Sequence, residues 1–201
     1  MSSEPSKRDR ILHEAMCAFM EHGFASTTTL EIATRARVSK RELYALVGNK
    51  DEMLATCIAE RGGRMRLPEG FPAPTDRASL KAALRRYGTT MLHELTDPDV
   101  LAVFRLGIAE AKRSPTIAKS LDAKGRQPAT GALEALLVAA RASRLLRDGD
   151  LRRMMSHFAG LLWGDLLVWI LLGIEKAPGA AEIERRADDA ATIFLDAHGR
   201  A

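Results

Sequence analysis

Three residues with metal-binding side chains recur at four-residue spacing near the N-terminus: His13, Cys17 and Glu21. On a helix this spacing places them on one face, as a zinc site would require. Cys17 lies next to the apolar face of that helix, however, and the sequence supplies no second cluster with a fourth ligand. A small buried hydrophobic residue is the usual role of a cysteine in such surroundings. We therefore predict no metal site and no cofactor.

A second short pattern, His93-Glu94, is how a zinc-protease motif begins. Asp97 occupies the place of the second histidine, and Pro98 follows at a helix boundary. The sequence also contains no glycine-rich phosphate loop, no nucleophile elbow and no grouping of histidine with serine or cysteine. These observations predict a protein that is not an enzyme.

A different chemistry, the donation of hydrogen bonds to phosphates and base edges, is available between residues 27 and 50. Lys40 and Arg41 can donate to guanine or phosphate, and the Tyr44 hydroxyl can reach a phosphate one turn later. Lys50 begins another helix, where its charge and the free backbone N–H groups could hold one phosphate together. Each residue alone is better explained as a solvated side chain or an ordinary helix cap. The candidates for such contacts are Thr27, Thr28, Ser39, Lys40, Arg41, Tyr44 and Lys50.

The helices that would position these residues are short and well delimited. A first amphipathic helix ends at Gly23, and a second begins among the hydroxyl residues 26–28. The apolar side of the second helix is predicted to consist of Leu30, Ile32, Ala33 and Ala36. Ser39 can cap a third helix over residues 40–47, with Glu42 at the capping-box position. Two short helices joined by such a turn form a helix-turn-helix, whose second helix enters the major groove, so the sequence predicts binding to double-stranded DNA.

The rest of the sequence is also helical in character. Apolar residues make up 46% of the 201 residues, aromatic residues only 5%, and the apolar positions recur at helical spacing. We predict an all-α protein with further helices over residues 50–65, 76–94, 98–113, 115–121, 128–143, 150–172 and 180–197. Glycines and prolines between residues 62 and 74 mark a boundary. The predicted parts are a helix-turn-helix DNA-binding domain over 1–50, a linker helix over 51–66 and a second helical domain over 67–201.

Neither a membrane span nor a secretion signal is predicted. The most hydrophobic run, residues 158–172, contains Gly164 and Asp165 and is shorter than the roughly 20 residues that a span needs. The first ten residues are polar. The net charge of +4 is compatible with an anionic partner without requiring one. We expect a cytoplasmic protein.

Taken together and in this order, residues 11–58 resemble the N-terminal signature of the TetR family of repressors. The matching positions are Ile11-Leu12, Ala15, Phe19, Gly23-Phe24, Thr27-Thr28, Ile32-Ala33, Ala36, Val38-Ser39-Lys40, Leu43-Tyr44 and Lys50. Arg37 and Arg41 stand where glycines are common, and Leu46-Val47 replaces a frequent His-Phe, so the operator sequence cannot be carried over. Arg37 predicts either a left-handed cap adopted at some cost or a slightly different turn.

Residues 104–137 are similar to the AefR-type branch of TetR effector domains, on the elements Arg105 to Glu110 and Ser114-Pro115. The resemblance implies a ligand cavity, for which we expect an apolar or amphipathic effector of unknown identity. The candidate lining residues, each of which is more often plain core, are His93, Phe104, Arg105, Ile108, Leu133, Leu137, His157, Phe158, Leu162, Trp163, Asp165 and Trp169.

The last two predicted helices indicate a dimer interface. The second half of helix 150–172 is apolar on nearly all sides, more than one core can cover. The last helix carries a narrow apolar stripe consisting of Ile183, Ala187, Ala190, Ala191, Phe194 and Leu195. Two such helices from each subunit would form a four-helix bundle, which the resemblance also implies.

These observations predict a homodimeric repressor that binds a palindromic operator and is released by a small molecule. One alternative is a ligand-independent DNA-binding dimer of the same fold, controlled by a protein partner. A second alternative is a helical enzyme or a membrane-surface protein that uses residues 158–172.

Overall fold

The structure, a computed structural model, describes residues 5–64, 73–112 and 115–200. Within these ranges the regular structure is helical, apart from one isolated antiparallel bridge between Leu146 and Gly199. The predicted all-α fold class, with a helix-turn-helix domain followed by a helical domain, is confirmed. The helices are α1 (Lys7–His22), α2 (Thr29–Arg35), α3 (Lys40–Val47), α4 (Lys50–Arg64), α5 (Arg77–Leu95), α6 (Pro98–Glu110), α7 (Pro115–Leu121), a π-helix (Asp122–Arg126), α8 (Gln127–Ala142), α9 (Leu151–Trp163), α10 (Leu166–Leu171) and α11 (Ala180–His198).

The chain divides into two compact units. The first consists of Met1–Gly63 and Ala102–Arg126, and the second of Arg64–Leu101 and Gln127–Ala201. Residues 65–72 of the predicted boundary stretch, which include Pro68, lie outside the described residues.

Local capping explains why the helices of the first unit begin and end where they do. The Ser6 hydroxyl accepts the backbone N–H of Asp9, and the Asp9 carboxylate accepts hydrogen bonds from Ser6 in return, which forms a capping box at the start of α1. The chain leaves α1 at Gly23, whose φ of 79° is favourable for glycine alone. The same kind of reciprocal box recurs between Asn49 and Glu52 at the start of α4.

The core of the first unit is built from the inner faces of α1 to α4, together with Val103 and Leu106 of α6 and Ile117 of α7. Phe19 and Leu43 are fully buried there, and Cys57 is also buried, with its thiol donating to the backbone oxygen of Leu12 at 3.6 Å. Among the described residues no group of three or more metal-binding side chains is close enough to hold an ion. Cys57 therefore acts as a small core residue.

In the second unit, α5 packs along α11 in antiparallel orientation. Three ion pairs follow the seam, Arg77–Asp196, Lys81–Asp188 and Arg85–Glu184, with separations of 2.6, 3.0 and 2.5 Å. Beneath them Gly88 allows close approach, since a Cβ atom there would lie 3.0 Å from Leu162 and 3.2 Å from Ala187.

The structure differs from the sequence-based expectation in the predicted helix 150–172. It is divided into α9 and α10 because the chain bends at Gly164, which has φ 48° and ψ −126°. A residue with a side chain does not readily adopt this conformation. The predicted helix 98–113 ends at Glu110, and its last residue, Arg113, lies outside the described part. The π-helix was not predicted.

The predicted dimer stripe on the last helix is also corrected. All six of its residues are at most 2% exposed in the single chain, because they form the side of α11 that packs in the second unit's core. They are therefore core residues. The large apolar side chains that remain exposed around the last three helices are instead Val168, Trp169, Leu172, Ile174 and Ile193.

No helix in the described ranges is both long enough and apolar enough to cross a membrane.

Candidate nucleic-acid interface

The helix-turn-helix consists of α2, a four-residue turn and α3. Thr28 is the N-cap of α2, and its hydroxyl oxygen accepts the Glu31 backbone N–H at 3.1 Å. Ser39 begins α3 through a complete capping box, in which Oε2 of Glu42 accepts both the backbone N–H and the hydroxyl of Ser39. The Ser39 side chain is thus used inside the protein, whereas no described residue accepts the Thr28 hydroxyl proton.

Arg37 has φ 54°, so the chain leaves α2 through a left-handed residue. The sequence left open whether Arg37, at a position where glycine is common, adopts a left-handed cap or changes the turn. The structure has the left-handed cap, which costs free energy for arginine.

Thr27 and Lys50 fix the turn that precedes α2. The Thr27 side chain is buried, with its hydroxyl 3.0 Å from the backbone oxygen of Ala18 and 2.9 Å from that of Gly23. Its backbone N–H also bonds to Gly23. The Thr27 oxygen is therefore needed to close the turn, a role that its selection from sequence did not include.

The Lys50 ammonium also points inward. It lies 2.5, 3.3 and 3.0 Å from the backbone oxygens of Phe24, Ala25 and Thr27, and 4.5 Å from the centroid of the Phe24 ring. An ammonium has three donors, and these three carbonyls can occupy all of them. The sequence placed this charge correctly at the start of α4 but gave no sign that the preceding turn would surround it.

Lys40 and Arg41, by contrast, extend from the first turn of α3 into solvent. Within the described part of the chain neither side chain forms an ion pair, and the only contact of Lys40 is with the ring of Tyr44, 5.9 Å away. Other cations of this unit are neutralised at short range: those of Lys7, Arg8 and Arg35 lie within 2.7 to 2.9 Å of glutamate oxygens. The start of α3 therefore carries uncompensated positive charge.

Tyr44 of α3 and Leu30 of α2 are also exposed. Tyr44 is 45% exposed, and its hydroxyl lies 3.3 Å from that of Thr29. Leu30 was expected on the apolar side of α2 but is 63% exposed. It precedes the buried Ile32 by two residues, a rotation of about 200° on a helix, so it faces away from the core. Helical periodicity applied to this short segment would have predicted that Leu30 is exposed.

Charged groups hold α1 against α2 and α3. Arg35 lies 2.7 Å from Glu21 and 2.9 Å from Glu31, and its hydrogen bond lowers the pKa of Glu21. Glu42 receives hydrogen bonds from Lys7 and Ser39, and these lower its pKa to about 2. Both carboxylates are therefore ionised at neutral pH, and the helix-turn-helix is braced against α1.

The candidate ligand-binding residues are distributed over both units. Phe104, Arg105 and Ile108 belong to the first, where Phe104 is half-buried and the other two are exposed. The remaining candidates belong to the second unit. Its apolar members, apart from the exposed Trp169, fill the interior, whereas the polar ones lie on the surface. Buried in that core are Leu133, Leu137, Phe158 and Leu162, with Trp163 half-buried against them, while His93, His157, Asp165 and Trp169 are exposed.

Two of the exposed polar candidates already have partners. His157 Nδ1 lies 2.9 Å from His198 Nε2, and Asp165 accepts a hydrogen bond from Trp169 at 3.3 Å. Burial and the neighbouring His157 lower the pKa of His198.

Comparison with known proteins matches both parts of the chain. The profile described as bacterial regulatory proteins of the tetR family matches residues 11–57, and that of the AefR-like transcriptional repressor C-terminal domain matches residues 82–200. No curated protein sequence matches significantly.

Solved structures agree along nearly the full length. A TetR transcriptional regulator from Agrobacterium tumefaciens is 28% identical, with 98% of this chain and 96% of that chain covered and a TM-score of 0.78. The flavonoid-responsive regulator FrrA is 30% identical, with 97% and 98% covered and a TM-score of 0.78. A TetR family regulator from Pseudomonas syringae pv. tomato is 23% identical, with 98% and 99% covered and a TM-score of 0.76, which supports the fold.

Both parts of the resemblance drawn from sequence are confirmed, and the exposed cations of α3 lie where a helix-turn-helix meets DNA. The chain therefore belongs to the TetR family of DNA-binding transcriptional regulators, with an AefR-like C-terminal domain, and is not an enzyme.

Proposed function

We propose that this regulator is a repressor that occupies a near-palindromic operator as a homodimer and is released by a small molecule. The observation that carries the DNA-binding part is the unneutralised charge of Lys40 and Arg41 at the start of α3, in a unit where Lys7, Arg8 and Arg35 are paired with glutamates. Occupying a site that polymerase needs is sufficient for repression. Such a regulator acts in the cytoplasm, where its operator is.

The proposed DNA contacts fall into two groups. Lys40, Arg41 and Tyr44 reach base edges or phosphates from α3, and Thr28 donates its hydroxyl to a phosphate at the start of α2. The second group positions the first without contacting DNA. It consists of Thr27, Ser39 and Lys50, whose polar side-chain groups are hydrogen-bonded within the unit. For the whole chain, we propose that residues 1–50 bind DNA, that 51–66 form a helix linking the two domains, and that 67–201 bind the effector and dimerise.

The proposed dimer uses the apolar surface around the last helices. Leu172 and Ile174 are both 64% exposed, and Val168 is 55% exposed. Neighbouring exposed apolar groups are typical of a surface covered by a partner. A two-fold dimer presents two equivalent recognition helices, so its operator should be a near-palindrome.

The proposed effector is an apolar or amphipathic small molecule. Support comes from FrrA, a relative 30% identical over nearly the whole chain, which is described as flavonoid-responsive. A flavonoid aglycone, a planar and mostly apolar molecule with hydroxyl groups, is therefore the first probe to use.

The test is selection of bound fragments from a pool of random DNA by the purified protein. We expect enrichment of a near-palindrome whose half-sites are one helical turn or more apart. Enrichment of an asymmetric single site would contradict binding as a dimer, and absence of binding even at low salt would overturn DNA binding altogether.

The effector is tested by linkage on the selected operator. If a flavonoid aglycone weakens operator affinity by some factor, saturating operator must weaken the affinity for the flavonoid by the same factor, typically 5- to 150-fold. Equal flavonoid affinities with and without operator would show that the bound molecule is not an effector.

A further inference from the structure

Arg37 and Arg144 are the two residues other than glycine that have positive φ in the described part of the chain, at 54° and 58°. Each follows the end of a helix, Arg37 after α2 and Arg144 after α8. Left-handed conformations are unfavourable for a residue with a Cβ atom, and asparagine and aspartate are the usual exceptions. Arginine is neither, so both positions carry a conformational cost.

The backbone pattern at Arg37 is a Schellman motif. The N–H of Val38 donates to the backbone oxygen of Ala33 at 3.0 Å, and the N–H of Arg37 donates to that of Thr34 at 3.2 Å. These are backbone bonds, which glycine would form equally well. The arginine side chain therefore contributes nothing to the motif that holds it.

Arg144 lies in the same motif at the end of α8. The N–H of Leu145 donates to the backbone oxygen of Ala140 at 2.9 Å, and the N–H of Arg144 donates to that of Arg141 at 2.9 Å. A third example, after α10, has glycine at this position: Gly173, with φ 74°. The fold thus supplies a matched control in the second unit for any change at Arg37.

The charge of Arg37 is uncompensated. The residue is exposed, and in the described ranges its guanidinium has neither an ion pair nor a hydrogen bond. It lies three residues before Lys40 and four before Arg41, whose charges are likewise unpaired. Three cations within five consecutive residues, at the turn and the start of α3, therefore lack a neutralising acidic side chain among the described residues.

We propose that Arg37 binds a DNA phosphate from the helix-turn-helix turn, and that this contact is made by a residue held in an unfavourable backbone conformation. Because it lies before α3 and not on it, Arg37 is outside the helix that enters the groove, so a backbone phosphate is the acceptor that fits its position. The inference rests on the proposed DNA binding. An unfavourable conformation kept at a functional surface is a recognised pattern, in which function is gained at the expense of stability.

Two substitutions separate charge from conformation. Arg37→Gln removes the charge and keeps a long side chain in the left-handed conformation, whereas Arg37→Gly removes both the charge and the conformational cost. Arg144→Gln and Arg144→Gly are the matched controls. Affinity for a random-sequence duplex is measured at several salt concentrations, together with the melting temperature of the full-length protein.

We expect both Arg37 variants to bind the duplex more weakly, with a slope of log K against log salt reduced by about 0.9 per bound subunit. The Arg144 variants should keep the wild-type slope. Both glycine variants should melt about 2 to 4 °C higher, and neither glutamine variant should share this gain.

The outcomes are distinguishable. A wild-type protein that does not bind the duplex at low salt overturns the proposed function itself. If the wild type binds and Arg37→Gln retains its slope, Arg37 is not a phosphate ligand. If the slope falls but Arg37→Gly melts no higher than Arg37→Gln, the claim of a conformational cost is wrong.

Discussion

The ammonium of Lys7 lies 2.7 Å from Oε1 of Glu42, which joins the first residue of α1 to the first turn of α3. The other oxygen of the same carboxylate accepts the backbone N–H and the hydroxyl of Ser39 at 2.9 and 2.8 Å. One side chain therefore both begins the recognition helix and ties it to α1.

The first prediction concerns the titration of Glu42. Lys7 is the largest cause of its lowered pKa, followed by Ser39, so Lys7→Met should raise this pKa from about 2 while leaving it below its usual 4.5. Nuclear magnetic resonance of the Glu42 carboxyl carbon during acid titration measures both values. Lys40→Met, which removes an unpaired cation from the same helix, is the control and should change the pKa far less. A wild-type midpoint near 4.5 would contradict the ion pair.

The pH dependence of stability follows with a definite sign. A carboxylate whose folded pKa is lowered contributes stability that is fully present above its unfolded pKa and is lost as pH falls through the folded value. The difference in melting temperature between wild type and Lys7→Met should therefore be constant above pH 4.5 and shrink between pH 4.5 and about 2. A difference that does not change over this interval would assign the effect of the substitution to something other than Glu42.

The second prediction distinguishes a positioning lysine from a DNA-binding one. Lys50→Met removes the donor shared by three backbone oxygens before α2, so it should lower the free energy of unfolding by roughly 2 kcal/mol. Lys40→Met has no such bond to lose and should change stability by less than about 0.5 kcal/mol. Urea unfolding followed by circular dichroism measures both.

In DNA binding the order of the two variants should be reversed, because Lys40→Met should change the salt slope and Lys50→Met should not. Lys40→Met should lower the salt slope of binding by about 0.9 per subunit, whereas Lys50→Met should weaken binding with the slope unchanged. If Lys50→Met instead lowered the slope at full stability, Lys50 would be a direct phosphate ligand, as its position at the start of a helix first indicated.

Sequence reasoning located the elements well because their ends are set by local chemistry. The capping box of Ser39 and Glu42 and the termination of α1 at Gly23 depend on neighbouring residues alone, and both are found in the structure. The orientation of Lys50 depends on residues 23 or more positions away, which come together only when the unit folds. Local patterns could identify this lysine but could not determine what surrounds it.

The dependence on distant residues also explains why the apolar stripe of α11 was predicted, wrongly, to form a dimer interface. Small residues such as Ala187 and Ala191 on one face of α11 predict close helix packing, but not whether the neighbouring helix belongs to the same chain. In the structure that neighbour is α5, which approaches α11 at Gly88. Which helix packs against an apolar face depends on the tertiary fold, and the spacing of residues along one helix does not determine it.

The third prediction tests the break between α9 and α10. Gly164→Ala should destabilise the protein by roughly 1 to 3 kcal/mol although a Cβ atom there would meet no other atom within 4 Å, because the cost lies in the backbone conformation alone. Gly131→Ala in α8 also adds a methyl group in open space, but in a helix, where it should stabilise by about 0.5 to 1 kcal/mol. Urea unfolding that ranks the two variants in the reverse order would exclude the bend at Gly164.

The fourth prediction concerns the oligomeric state. Leu172 is 64% exposed in the single chain, so Leu172→Glu should leave the fold stable to within about 0.5 kcal/mol while placing a charge in the proposed interface. Ala191 is fully buried, and Ala191→Glu should prevent folding, since an unpaired buried carboxylate costs several kcal/mol. Val138→Glu on α8, at 53% exposure, makes the same change outside the proposed interface and is the matched control.

Sedimentation velocity, together with circular dichroism, separates these cases. We expect dimers for the wild type and Val138→Glu, folded monomers for Leu172→Glu, and loss of helical signal for Ala191→Glu. Because a monomer presents one recognition helix, folded Leu172→Glu should also bind the palindromic operator far more weakly than the wild type while retaining its affinity for a single half-site. A Leu172→Glu protein that remains dimeric at the concentrations where the wild type does would place the interface elsewhere on the second unit. A wild type that is already monomeric without DNA would contradict the preformed dimer.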